Sequence, residues 1–264
     1  MKGIIREELT RTFCNVRFLI VIIVSVALFM IGVYRAPLPL TGFGLHPVNR
    51  LTMYLEFSEF GFLAALLATL PFADSFLDDL NQGFLRQILQ RVPYRKYQSA
   101  KVLAVGLAGG VSLVIVASLV FVLGLLGDSD WQTRYFESSY GFATGQVPGA
   151  LPGLYDRAPM LYFCYLLASV FGFGVSFALF GLALSPLIHN RYVVLGAPLV
   201  LVQVIDFLET RTRHITPAFN PINALLTFKS NGSSPLVQLV LFGCVSVFSI
   251  LVFLVLSRKS RLTL

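Results

Sequence analysis

The 264 residues are 56% hydrophobic and 12% charged, with a mean hydropathy of +0.78. A soluble domain of this length carries roughly 25% charged residues, so the composition excludes a wholly water-covered surface and makes lipid the solvent for much of the exterior. The net charge of +7 does not point to nucleic acid, because the Lys and Arg residues fall in short segments between apolar runs, the distribution that sets membrane topology.

At the N-terminus, Ile4, Ile5, Leu9, Phe13 and Val16 recur at helical spacing, while Arg6, Glu7, Arg11, Asn15 and Arg17 are polar. This pattern predicts an interfacial helix over 1–17, flat on the membrane surface before the first span. The run that follows lacks a small-residue cleavage site and reads as a retained helix, not a signal peptide. Six runs are long enough to cross roughly 30 Å of hydrocarbon: 18–34, 57–73, 102–126, 159–184, 192–208 and 235–257. They lack the alternation of barrel strands and predict helices, whose backbone groups bond internally. The expected fold is all-α integral membrane, a single transmembrane domain over 1–264 with no internal repeat.

Lys and Arg bias sets the expected orientation. Lys2, Arg6, Arg11 and Arg17, the group Arg86, Arg91, Arg95, Lys96 and Lys101, then Arg191, Arg258, Lys259 and Arg261 fall on one side, thirteen against seven. That side, with both termini, is expected to be cytoplasmic.

Within the cytoplasmic connection 74–101, Leu80, Phe84, Ile88 and Leu89 mark one apolar helical face and Asn81, Gln82, Arg86, Gln87 and Arg91 the other. Asp78 and Asp79 at its start and Arg86 and Arg91 toward its end match the helix macrodipole, and Pro93 stops the helix. Charge bias alone requires basic residues but no apolar face, so the face predicts docking onto another surface.

The opposite side holds segments of about 35–56, 127–158 and 209–234. Trp131, Tyr135, Tyr140 and Tyr155 are interfacial anchors or a ligand surface. Pro217, Pro221 and the apolar stretch 222–228 predict a short re-entrant helix, tolerated at membrane depth only when buried in protein. Gln203 and Asp206 near the outer end of the fifth span, with Glu56 and Glu59 at the outer mouth of the second, are the candidates for a pathway or gate. Their plainer role is interfacial or helix–helix hydrogen bonding.

Catalysis finds little support. His46, His189 and His214 are scattered, and helix capping accounts for Asp78 and Asp79 beside Asp74. Cys14, Cys164 and Cys244 lack disulfide or metal-ligand spacing. Lys229 and Lys259 precede serine without the glycines of a phosphate loop, and Asn231-Gly232-Ser233 is a glycosylation triplet of a kind common by chance. Gly106, Gly109, Gly110, Gly172 and Gly174 allow close helix packing.

Asp79, Gly83, Phe84, Leu85, Arg86, Ile88, Leu89, Arg91, Pro93, Arg95, Tyr97 and Lys101 resemble the same connection in the ABC-2 type transporter permeases. An acidic residue, a glycine, a basic residue, a proline and a lysine opening the third span recur there. Asn190, Arg191, Tyr192 and Pro198 at the fifth span and the six-span plan extend the resemblance, while Phe84 departs from it where the family often places threonine. The resemblance implies that 1–17 is a connecting helix. It also implies that a coupling helix carrying Asp79, Gly83, Phe84, Arg86, Ile88, Arg91 and Pro93 sits in a groove of a cytoplasmic ABC ATPase. The implied assembly has two permease subunits, identical or related, and two ATPases that carry ATP and Mg, with no cofactor on this chain and no enzyme activity of its own. The implied activity is export of an amphipathic or hydrophobic cargo, such as a peptide, a lipid-linked molecule or a drug, across the cell membrane. The alternative is a non-transporting scaffold or sensor that docks a cytoplasmic partner. A secondary transporter needs midplane carboxylates between broken repeats, and the sequence offers neither.

Overall fold

A computed structural model of the chain describes residues 2–35, 51, 54, 55, 57–126, 151–212, 219–226 and 234–262, and no strand occurs among them. In chain order the helices are α1 (Lys2–Phe13), α2 (Val16–Arg35), α3 (Phe60–Thr69), α4 (Ser75–Asn81), α5 (Phe84–Arg91) and α6 (Tyr94–Leu126). They continue as α7 (Pro152–Arg157), α8 (Pro159–Leu184), α9 (Arg191–Thr212), α10 (Pro221–Leu225) and α11 (Pro235–Leu262). Five described helices are long and apolar enough to cross a membrane, over Val16–Arg35, Tyr94–Leu123, Pro159–Leu184, Arg191–Arg211 and Pro235–Arg258. The chain is a multi-pass α-helical membrane protein.

Two stretches differ from the sequence-based expectation. The expected second span, 57–73, contains a ten-residue helix, α3, followed by turns at 70–74 that lead into α4. The expected single amphipathic helix of 74–101 is two helices, α4 and α5, and α6 begins at Tyr94, not at 102. The early start has a physical cause. Tyr94, Tyr97, Gln98 and Lys101 are all buried against protein, so polar side chains that end a lipid-facing helix are here accommodated inside.

α6 and α8 run antiparallel and form the spine. Their backbones meet where Gly109 faces Gly174: a Cβ built on Gly109 falls 2.6 Å from the Gly174 carbonyl oxygen. Further along, Phe121 stacks on Phe163 with ring centroids 3.9 Å apart. α11 lies parallel to α8. Gln238 accepts from Tyr165 and Ser169 at 2.6 and 3.0 Å, and one helical stretch later Ser176 lies 3.1 Å from Ser246. These are the hydrogen bonds that hold helices together where burial in lipid gives no hydrophobic drive. α3 packs on α9 through Thr69, whose hydroxyl donates to the Leu195 carbonyl at 2.9 Å, three residues before Pro198.

The core has two parts along α6. One takes Tyr94 to Ala108 and gathers Phe72, Phe76, Leu182 and Phe253. The other takes Leu113 to Phe121 and gathers Phe29, Phe60, Tyr162, Phe173, Ile222 and Phe242. The first part carries α1, α4 and α5 at its end.

Candidate functional site

α5 is a two-turn helix held between two conformational stops. Gly83, at its N-terminal side, has φ 72, a left-handed backbone that a side chain disfavours, and this turns the chain out of α4. Val92 is extended at its C-terminal side and Pro93 follows, so the helix cannot run on into α6. Leu85 is 1% exposed and anchors the helix to the core, whereas Phe84 is 44% exposed. Ile88 and Leu89 are half-buried against that core.

Behind α5, three helices are joined by buried charges. Lys101 on α6 lies 2.7 Å from Asp79 on α4 and 2.9 Å from Glu8 on α1. Arg11 on α1 contacts Asp79 at 3.0 Å and Glu8 at 3.4 Å, and the Tyr97 hydroxyl donates to Asp79 at 2.7 Å. The Lys101 ammonium also stands over the Phe72 and Tyr97 rings at 4.9 and 5.6 Å. Two carboxylates and two cations make the cluster formally neutral, with Lys101, Asp79 and Glu8 buried and Arg11 reaching solvent at its edge, its side chain 45% exposed. Burial alone would raise the Asp79 carboxyl, but Lys101, Tyr97 and Arg11 together hold it below its ordinary value. Arg11 is likewise held above its ordinary value, because Asp79 and Glu8 overcome the burial that would lower it.

A second tie lies beside the first. Arg17, at the start of α2, bonds both oxygens of Asp74 at 2.8 and 2.9 Å and reaches Asp78 at 3.5 Å. Here burial wins: the Asp74 carboxyl is raised despite Arg17, a third of whose side chain is open to solvent.

Between α1 and α5 runs a groove of about 380 Å³. Ile4, Glu7, Glu8 and Arg11 form one wall, and Phe84, Gln87, Ile88, Arg91 and Val92 the other.

Several expected residues take these places. Phe84, Ile88 and Arg91 lie on α5 and Pro93 bounds it as the spacing indicates, Arg86 falls on α5, and Gly83 breaks the single helix that the spacing placed across it. The capping role read for Asp78 and Asp79 is corrected, although Asp78 does lie in the first turn of α4. Neither α4 nor α5 has a side-chain cap, and Asp79 is an interior counter-ion at 0% exposure. The apolar face expected for 1–17 is also corrected in part, because α1 buries Glu8 and Thr12 while Val16 is 69% exposed.

Of the outer candidates, Gln203 donates to the Phe62 carbonyl at 3.0 Å, tying α9 to α3. Asp206 accepts from Asn220 at 2.8 Å. Asn220 also bonds Glu209 and caps α10 through the Ile222 amide at 2.8 Å. Within the stretch expected to be re-entrant, Pro221–Leu225 form the five-residue α10, mostly buried and tethered to α9, while 227 and 228 lie outside the described residues. Glu59 pairs with Arg35 at 2.9 Å on the surface. Glu56, Trp131, Tyr135, Tyr140, His46, His214 and the 231–233 triplet lie outside the described residues. Among the described residues, no cluster of His, Cys, Asp or Glu is arranged to hold a metal.

Glu8, Arg17 and Asp74 carry roles that spacing did not assign. The available signal was Glu8 and Thr12 one turn apart on α1, a polar stripe within an amphipathic pattern, and Tyr97 and Lys101 one turn apart at the foot of α6. No protein-family model, curated protein or solved structure matches the chain.

Proposed function

We propose that the chain is the membrane-spanning permease subunit of an ATP-driven transporter of the ABC-2 type, working with a second permease subunit and with ATPase subunits that carry ATP and Mg. In this reading the segment around α3 completes a sixth span, the basic end with α1, α4 and α5 faces the cytoplasm, and the cargo is amphipathic or hydrophobic and is exported.

The observation that carries the reading is the mounting of α5. An exposed amphipathic helix stands on a short joint to the longest helix of the bundle, above buried ion pairs that tie α1, α4 and α6 together. A helix on a flexible loop would absorb a push from a docked partner, whereas one on this base passes it to α6 and from there to α8. A partner that binds two arrangements of the bundle with different affinity then shifts the chain between them, which is all that coupling requires.

The test is co-purification of the full chain with the ABC ATPase encoded beside it, comparing the wild type with a Phe84→Asp/Ile88→Asp variant. Retention by the wild type and loss by a folded variant supports the permease. An ATPase that the wild type does not retain, or that wild type and variant retain equally, favours a scaffold instead.

A further inference from the structure

At the basic end of the bundle, Glu8, Asp74, Asp78 and Asp79 are all taken up by Arg11, Arg17 and Lys101. The cations outside those ties are left without counter-charge: Arg91, Arg95, Lys96 and Arg258 are exposed, and none makes an ion pair among the described residues. Two distant stretches of sequence meet there. The Tyr94 hydroxyl donates to the Ser257 carbonyl at 2.6 Å, and the Gln98 side-chain amide donates to the Ser257 hydroxyl at 2.7 Å. Arg95 follows Tyr94 and Arg258 follows Ser257, so the foot of one span helix and the end of another bring their cations to one corner. Arg95 and Lys96 also lie in the first turn of α6, which holds no acidic residue, so they oppose the dipole of their own helix, and an external anion relieves that opposition. A hollow of about 340 Å³ at the α5–α6 joint runs from Leu89 to Tyr94 with Arg91 on its wall. Along α6 beyond the cations, Ser99, Leu103 and Leu107 follow at one-turn intervals, all exposed.

We infer that this corner holds an anionic phospholipid, its phosphate among Arg95, Lys96 and Arg258 with Arg91 at the edge, and an acyl chain along Leu103 and Leu107. Unpaired cations at the end of two spans, followed by an apolar strip that runs into the span, are the complement of an anionic head joined to a hydrocarbon tail. The inference needs only the membrane-spanning fold and is independent of the permease reading. Inorganic phosphate satisfies the cations but leaves the apolar strip unused. An acidic protein surface does not reach Leu103 and Leu107, which lie within the span.

The experiment is binding of fluorescent phosphatidylglycerol to the purified full chain in neutral detergent micelles, with unlabelled phosphatidylglycerol, phosphatidylcholine and inorganic phosphate as competitors at matched ionic strength. Phosphatidylglycerol is expected to compete about tenfold better than phosphatidylcholine, and inorganic phosphate is expected not to compete. Arg258→Gln is expected to weaken binding about fivefold, and Arg95→Gln/Lys96→Gln about twentyfold. Arg6→Gln removes an exposed charge from α1, a helix that does not line the hollow, and is expected to bind as the wild type does. All four side chains are exposed and outside any ion pair, so the fold is retained. Equal competition by the two lipids overturns the inference, as does equal weakening by Arg6→Gln, which would reduce the effect to the general charge of this end. Displacement of the label by inorganic phosphate overturns it by showing a site for a soluble anion. Corner variants that bind the lipid as the wild type does but no longer retain the ABC ATPase assign the corner to that partner and overturn it as well.

Discussion

Lys101 places its ammonium between Asp79 and Glu8, at 2.7 and 2.9 Å, and so joins helices whose residues are up to 93 positions apart in sequence. Removing one member of a buried ion pair leaves its partner's charge uncompensated, which costs about 3–5 kcal/mol. Lys101→Met is therefore expected to lower thermal stability sharply in detergent or nanodiscs. Lys101→Met combined with Asp79→Leu is expected to lose less than the sum of the two single changes, because the double variant removes both charges of the 2.7 Å pair. Additive losses measured by thermal unfolding would show the pair is not coupled.

The two buried acids at the edges of α4 titrate in opposite senses. A lowered value means that ionised Asp79 stabilises the fold above the ordinary aspartate range, a contribution lost as pH falls through the lowered value. Asp74 has the reverse sign: its raised value favours the fold below the ordinary range, and that contribution is lost as pH rises through the raised value. At neutral pH, Asp79→Asn is expected to destabilise and Asp74→Asn to leave stability unchanged or raise it. The Asp79→Asn deficit is expected to vanish only in acid below the ordinary aspartate range. Melting curves of both variants across pH check this, and equal deficits at neutral pH would contradict it.

Gly83 has a left-handed backbone and nothing within 4 Å of where a Cβ would sit. The cost of a side chain there is conformational and not steric, about 1–2 kcal/mol for alanine and less for asparagine, which visits this region more readily. Gly83→Ala is expected to melt below Gly83→Asn. If the two variants melt alike, the joint between α4 and α5 does not depend on that backbone angle.

At the α6–α8 contact the cost is steric. A Cβ on Gly109 meets the Gly174 carbonyl oxygen at 2.6 Å, so Gly109→Ala has to push the helices apart, an overpacking cost of about 1–3 kcal/mol. Gly196, inside α9, has nothing within 4 Å, and Gly196→Ala is expected to be neutral or stabilising. Detergent-resistance assays on the pair decide between a packing requirement and a general intolerance of alanine.

What the sequence made legible followed physical range. Periodicity and composition are local, so the long apolar helices and the amphipathic face carrying Phe84 and Ile88 could be read directly, as could the stop at Pro93. The pairing of Glu8 with Lys101 is a long-range contact that no spacing rule encodes, and Lys101 was legible only as a basic residue opening a span. Asp79 looked like a helix cap because its neighbours allow one. Its burial depends on α1 and α6 closing over it, which local pattern does not contain. α3 was read as part of a longer span because hydropathy does not register the turns at 70–74, which lie among buried side chains.

α6 is 33 residues long, roughly 50 Å at about 1.5 Å per residue, and its tightest contact with α8, at Gly109, falls near its middle. Glycine backbone and the small Ala178 side chain leave little at that point to compress, so a tilt of α6 would turn about this contact. A lever balanced near its centre returns at one end what it receives at the other: a tilt of the α6 foot, where Tyr97 and Lys101 are held, reappears with opposite sign and similar amplitude around Phe121 and its stacked neighbour Phe163. Such a tilt would tie the surroundings of Tyr97 to those of Phe121, about 36 Å away along the same helix.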